Sequence, residues 1–212
     1  MKEKEIERLT ELKKIEDELY NNPNIETICG IDEAGRGPLA GPVVVASVIM
    51  PRDSMIEEVN DSKKLSEKKR ELLYEQITKE AISYGVGIIW QNEIDELNIL
   101  SATKKGLTNS LKELKVKPSV ILVDALEHID TLGIPYKSII KGDAKAYSIA
   151  AASIIAKVTR DRIMRELAKD YPEYEFDVNK GYGTAKHIAA IRKNGLCPLH
   201  RRSFTKNFSQ TC

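Results

Sequence analysis

The sequence predicts an α/β domain: a mixed five-stranded sheet flanked by helices, with a helical extension at the carboxy-terminal end. Two observations predict it. Short apolar runs rich in β-branched residues recur five times, and longer stretches with helical periodicity lie between and after them. Three of the runs come early, and the other two alternate with helical stretches, a pattern that suits a sheet with both parallel and antiparallel neighbours.

Each element has its own signal. Residues 2–20 form a charged amphipathic helix, because Ile6, Leu9, Leu12, Ile15 and Leu19 recur at helical spacing; Asn21, Asn22 and Pro23 then stop it. Residues 25–31 are the first strand, and a turn with two glycines leads into the second, residues 42–50 (PVVVASVIM). Ser66 offers an N-cap for a helix over 66–83. A third strand over 84–91 and a helix over 98–114 follow. Residues 119–124 (SVILVD) make a short buried strand that ends on an acid, and residues 136–140 make a fifth, with Asp143 close behind. The long helix over 145–170 carries a small-residue patch at 150–153, suited to close packing on a sheet. A last helix covers 184–193, and the remainder reads as irregular.

With 212 residues, 42% hydrophobic and 31% charged, the chain can bury a core without staples. No apolar run reaches the length of a bilayer span, and the amino terminus lacks the apolar segment of a secretory signal. The expectation is a cytoplasmic monomer that does not enter a membrane. Cys29, Cys197 and Cys212 match no metal-binding spacing and read as reduced thiols. The net charge of +1 hides an uneven distribution: residues 178–212 hold seven Lys or Arg and no acid. Such an end either creates a local field for phosphates or simply keeps the surface solvated.

The acids carry the chemistry. Asp32 and Glu33 stand at the end of the first expected strand, Asp124 closes a later one, and Asp143 follows another at the start of the long helix. Open α/β sheets collect strand-end residues on one rim, so four carboxylates can meet there. Clustered carboxylates stay ionised only when a cation compensates them, and all-oxygen sites select hard ions such as Mg²⁺ or Mn²⁺. Two such ions about 3.5–4 Å apart can activate a water and stabilise the leaving oxygen of a phosphodiester. Each acid alone has a plainer explanation. Asp32 and Glu33 could begin a turn, Asp143 could cap a helix, and Asp124 would need a buried partner.

Gly35, Arg36 and Gly37 follow the acidic pair directly. Glycines let a backbone approach a ligand closely, exposed amides in such a turn bind oxyanions or sugar hydroxyls, and Arg36 adds charge. Lys63 and Lys64 precede a helix and are candidates for backbone-phosphate contacts, with Arg201 and Arg202 ranked after them. His187 and His200 are not needed as ligands or bases, and His200 reads as a structural residue.

Residues 30–38 (GIDEAGRGP) resemble the signature of the ribonuclease HII family. Further blocks match in the same order: residues 61–66 (DSKKLS), 123–125 (VDA), 141–143 (KGD), 148–161 (SIAAASIIAKVTRD), 180–184 (KGYGT) and 200–204 (HRRSF). Together they run from Cys29 to Phe204, and the combination is specific although no single block is. The resemblance implies the ribonuclease H-like fold, divided here into a charged amino-terminal helix (1–22), a catalytic domain (23–170) and a basic substrate-binding extension (171–212). It implies that Asp32, Glu33, Asp124 and Asp143 are catalytic and hold a two-metal site of Mg²⁺ or Mn²⁺. It further implies that Gly35, Arg36 and Gly37 contact the ribonucleotide, and that Tyr182 stacks on the adjoining sugar and senses its 2′-hydroxyl, the group that separates RNA from DNA. The implied substrates are RNA–DNA hybrid and duplex DNA containing ribonucleotides. The implied reaction incises 5′ of the ribonucleotide and leaves 3′-hydroxyl and 5′-phosphate ends. Two alternatives stand beside this reading. One is a type 3 ribonuclease H, which usually carries an amino-terminal substrate-binding domain larger than the helix here. The other is a non-catalytic nucleic-acid-binding protein on the same fold.

Overall fold

A computed structural model describes residues 1–207; Cys212 and the last residues of the basic end lie outside them. The sheet has the order β3-β2-β1-β4-β5. Strand β1 (Ile28–Ala34) pairs antiparallel with β2 (Val43–Ile49), which pairs antiparallel with β3 (Ser83–Ile89). On its other side β1 runs parallel to β4 (Val120–Asp124), and β4 parallel to β5 (Tyr136–Ile139). The mixed five-stranded sheet expected from the sequence is therefore present. Every residue of β2 is buried, which explains why its sequence is continuously apolar rather than alternating.

Helices cover both faces. Labelled in chain order, α1 (Glu3–Tyr20), α2 (Glu67–Glu80) and α5 (Tyr147–Asp170) lie on one face. There Leu9, Leu12, Leu73 and Ile77 pack with Ala46, Val48 and the small residues Ala150, Ala151 and Ala152 of α5. On the opposite face, α4 (Ile99–Lys112) packs Leu107 and Leu111 against Cys29, Ile31, Val45 and Val123. The small patch on α5 brings the helix down onto the sheet. A Cβ on Gly30 would lie 2.1 Å from the carbonyl carbon of Ser148, so only glycine permits this approach. Beyond α5, a third core of Ala40, Met164, Tyr174, Phe176, Ile191 and Leu199 joins α6 (Phe176–Asn179) and α7 (Ala185–Asn194) to the end of α5, while Phe204 of α8 (Arg202–Thr205) packs against Val43, Ile89, Ile94 and Ala102.

Three local expectations are corrected. The first strand starts and ends three residues later than 25–31, because its ladder with β2 continues to the pair Ala34–Val44. Asp32 and Glu33 are thus ladder residues rather than turn residues. Helix α3 (Gln91–Leu97) was not anticipated; Asn98, at φ 68°, separates it from α4 and caps the latter through Ser101. The region after residue 193, read as irregular, contains the short helix α8.

Candidate active site

Strand register builds the centre of the site. In the parallel pair β1–β4, Gly30 faces Leu122 and Ile31 faces Val123. Asp32 and Asp124 are the next residues of the two strands, so they stand side by side. Alternation then gives them a common face. Gly30 contacts α5, and Leu122 packs with Ile149 of α5, so Asp32 and Asp124, two residues on from each, are turned towards the same helix. Asp143 arrives from β5, in a tight turn (Gly142–Ala144) ahead of α5. The amide of Gly142 donates to Asp124 Oδ1 at 2.7 Å, which ties this turn to the end of β4. Asp143 is not the N-cap of α5; that position is Ala146. The rim that the sequence implied is real: the acids converge from three parallel strand ends.

The electrostatics are those of crowded like charges. Asp32 is 6% exposed. Burial first, then Glu33, Asp124 and Asp143, pushes its carboxyl well above the ordinary range, against the pull of the Glu33 amide. Burial also raises Glu33, with Arg36 opposing, and raises Asp143, where the nearby Asp61 adds to the effect and Lys63 opposes it. Two cations are supplied by the chain: Arg36 Nη1 lies 3.2 Å from Glu33, and Lys63 Nζ 3.4 Å from Asp143. Burial opposes the charge on Lys63, but Asp143, Asp32 and Asp61 outweigh it and raise its pKa. Asp32 and Asp124 have no ion-pair partner among the described residues. Among the described residues, no three acid, histidine or cysteine side chains come close enough together, as they stand, to hold a metal ion. Lys64, next to Lys63 in the chain, is exposed.

The second half of the site is the glycine turn with Tyr182. Gly35 has φ +96°, and a Cβ there would lie 2.1 Å from Arg160 Nε. Gly37 differs: nothing lies within 4 Å of its missing Cβ. Two buried arginines hold this turn from beneath. Arg160 donates to Pro42 O at 2.9 Å and Ala40 O at 3.2 Å. Arg201 donates to Gly35 O at 2.6 Å, Arg36 O at 2.9 Å and Gly41 O at 3.0 Å. Arg201 is fully buried, so the sequence-based ranking of it as a phosphate contact is wrong; Arg202 is exposed. Burial, with Arg160 alongside, holds the Arg201 pKa down to about 9. The Tyr182 ring, 42% exposed, lies 5.7 Å from the Arg160 guanidinium and 5.9 Å from Lys157 Nζ.

The backbone of Tyr182 is fixed by a histidine relay. The Cys197 amide donates to His200 Nδ1 at 2.9 Å, His200 Nε2 meets His187 Nε2 at 3.1 Å, and His187 Nδ1 meets Tyr182 O at 2.9 Å. With Nδ1 of His200 accepting, the protons can satisfy every link only if both rings are neutral: His200 donates to His187, and His187 donates to Tyr182. Burial lowers both pKa values, that of His200 to about 4 with help from His187. The structural role expected for His200 is the one found.

The family model for ribonuclease HII matches residues 29–207. The chain belongs to the ribonuclease HII family. A ribonuclease HII from Acetivibrio thermocellus is 56% identical over 206 residues, covering 97% of this chain and 80% of the relative. The crystal structure of ribonuclease H2 from Pyrococcus horikoshii superposes with a TM-score of 0.73 at 28% identity, covering 87% of this chain and all of that one. A ribonuclease HIII in complex with Mn²⁺ shares the fold at a TM-score of 0.62 and 20% identity, over 80% of this chain and 63% of that one. As a family member the chain is a ribonuclease H, an endoribonuclease of RNA–DNA hybrids.

Sequence reasoning missed Arg160, Lys157 and His187 as parts of the site. Arg160 did carry a signal. It continues the buried stripe Ala152, Ala156 at a spacing of four, where a charged residue needs a reason.

Proposed function

We propose that the chain is a metal-dependent endoribonuclease that hydrolyses the RNA strand of RNA–DNA hybrids and also incises 5′ of single ribonucleotides embedded in duplex DNA. Asp32, Glu33, Asp124 and Asp143 hold Mg²⁺ or Mn²⁺. The observation that carries this reading is the pair Asp32–Asp124: two adjacent carboxylates on one sheet face without an ion-pair cation among the described residues. An all-carboxylate donor set fits a hard divalent ion, and the fold neighbour that holds Mn²⁺ is consistent with it. When bound, the metal supplies the charge that makes water nucleophilic near neutral pH and stabilises the departing oxygen. Water adds to phosphorus and the P–O3′ bond breaks, which leaves a 3′-hydroxyl and a 5′-phosphate.

The rest of the work falls to the chain. Gly35–Gly37 with Arg36 offers amides and a charge to the ribonucleotide, and the open space at Gly37 supports a backbone approach from solvent. Tyr182 presents an exposed ring on a fixed turn, suited to stacking on a sugar and sensing its 2′-hydroxyl. Lys63 and Lys64 serve flanking phosphates, and the basic carboxy-terminal extension adds to the field. A cytoplasmic location belongs to this reading, and one chain supplies every residue named, so a monomer suffices.

The test is cleavage of a DNA duplex carrying one ribonucleotide, with Mg²⁺ or with EDTA, by wild type and Asp124→Ala. A single cut 5′ of the ribonucleotide that requires metal and Asp124 is expected. Cleavage of hybrid but not of this duplex would assign the type 3 specificity. Metal-independent, salt-sensitive binding without any cleavage would leave a nucleic-acid-binding protein.

A further inference from the structure

Helix α5 begins without a cap of its own. Its N-cap residue is Ala146, which has no side-chain acceptor for the free amides of the first turn. The acceptor comes instead from α1. Glu16 Oε1 receives the Ser148 amide at 2.7 Å and the Ser148 hydroxyl at 2.8 Å. Glu16 is 5% exposed; burial pushes its carboxyl up and the two Ser148 bonds pull it back. Such a carboxylate is costly to bury without a partner, and the start of a helix is where it is best placed.

The grip falls at a sensitive point. Ser148 is the residue whose main chain lies against Gly30, two positions before Asp32. Just upstream, Gly142 O accepts the amides of Lys145 at 3.0 Å and Ala146 at 2.8 Å, and the Gly142 amide binds Asp124. Asp143 is therefore suspended between the first turn of α5 and Asp124. Helix α1 is in turn bolted to the body: Lys13 Nζ donates to Arg52 O at 2.6 Å and Ser54 O at 2.9 Å, and Leu9 and Leu12 are in the core.

We propose that Glu16 is a positioning residue for the metal centre: through Ser148 it sets the first turn of α5, and with it the placement of Asp143 relative to Asp32 and Asp124. The amino-terminal helix thereby becomes part of the active-site support. The inference rests on the reading of the four acids as metal ligands.

The experiment is calorimetric titration of Mn²⁺ into wild type, Glu16→Ala, Glu16→Gln, Ser148→Ala, Leu12→Ala and Asp124→Ala, with the Tm of each and the metal dependence of cleavage. Glu16→Ala is expected to weaken Mn²⁺ binding roughly tenfold, as for loss of a group that orients ligands. The metal needed for half-maximal cleavage should rise in step, with kcat at saturating metal nearly unchanged. Glu16→Gln should bind as wild type does, because both bonds go to one oxygen that the amide retains. Ser148→Ala, which keeps the amide bond, should fall between wild type and Glu16→Ala, and it serves if Glu16→Ala does not fold. Leu12→Ala should lose Tm without losing Mn²⁺ affinity. Wild-type Mn²⁺ binding by Glu16→Ala or Ser148→Ala would overturn the proposal, as would equal weakening in Glu16→Gln or Leu12→Ala. Wild-type binding by Asp124→Ala would instead overturn the metal-ligand reading beneath it.

Discussion

Gly35 and Gly37 lie two residues apart in one turn and are constrained for opposite reasons. At Gly35 both the left-handed φ and the Arg160 side chain forbid a Cβ, so Gly35→Ala should lose about 2 kcal/mol or more of stability along with activity. At Gly37 the protein itself forbids nothing. Gly37→Ala should leave the unfolding free energy within about 0.5 kcal/mol of wild type while raising KM for hybrid roughly tenfold, a loss of about 1.4 kcal/mol in binding. Paired denaturation and kinetic measurements check both; a Gly37→Ala enzyme with wild-type KM means that substrate does not approach there. The gathering of the acids at one rim was legible because each lies near the end of an apolar run or just after one, and the motif blocks fix their order. Arg201 was misread because an arginine beside another in a basic segment looks solvated. Nothing local shows that Arg201 passes under a turn 165 residues earlier.

At the scale of elements, the turn after β1 is held by α5 and by the segments that precede α7 and α8. Leu39 N bonds Gly181 O at 2.8 Å, Gly41 N bonds Leu199 O at 2.9 Å, and the histidine relay closes the group. The relay requires neutral rings, and the folded pKa of His200, about 4, lies below its ordinary 6.5. Its contribution to stability is therefore complete above pH 6.5 and is lost as pH falls towards 4. The difference in Tm between wild type and His200→Gln should shrink on acidification from pH 7.5 to 4.5; a constant difference would exclude the relay as a source of acid lability. The strands and long helices could be read from periodicity, but the relay could not. Its members stand on α7 and a loop, and only packing around Tyr174 and Phe176 brings the two rings together. The first strand was read three residues early for a similar reason: its end is set by pairing with β2, not by its own composition.

For the whole molecule, the carboxylate centre works against folding. Acids whose pKa values are raised in the native state bind protons more readily folded than unfolded, so stability without metal should fall as pH rises through the carboxylate range. A divalent ion should reverse this, and the Tm gain on adding Mg²⁺ should grow with pH. Asp32→Asn can still accept the Glu33 amide but removes the most burdened charge. It should raise the metal-free Tm by a few degrees, about 1 kcal/mol for a chain of this size, and abolish the gain from Mg²⁺. A lower metal-free Tm in that variant would mean that the repulsion is already relieved within the protein. The pairing of β1 with β4 has one more consequence. A slip of a single residue in that ladder would carry Asp32 or Asp124 to the α4 side of the sheet. Nuclease activity recovered during refolding thus serves as a clock for the moment when two segments some ninety positions apart have locked into correct alignment, and no misaligned intermediate can contribute to the signal.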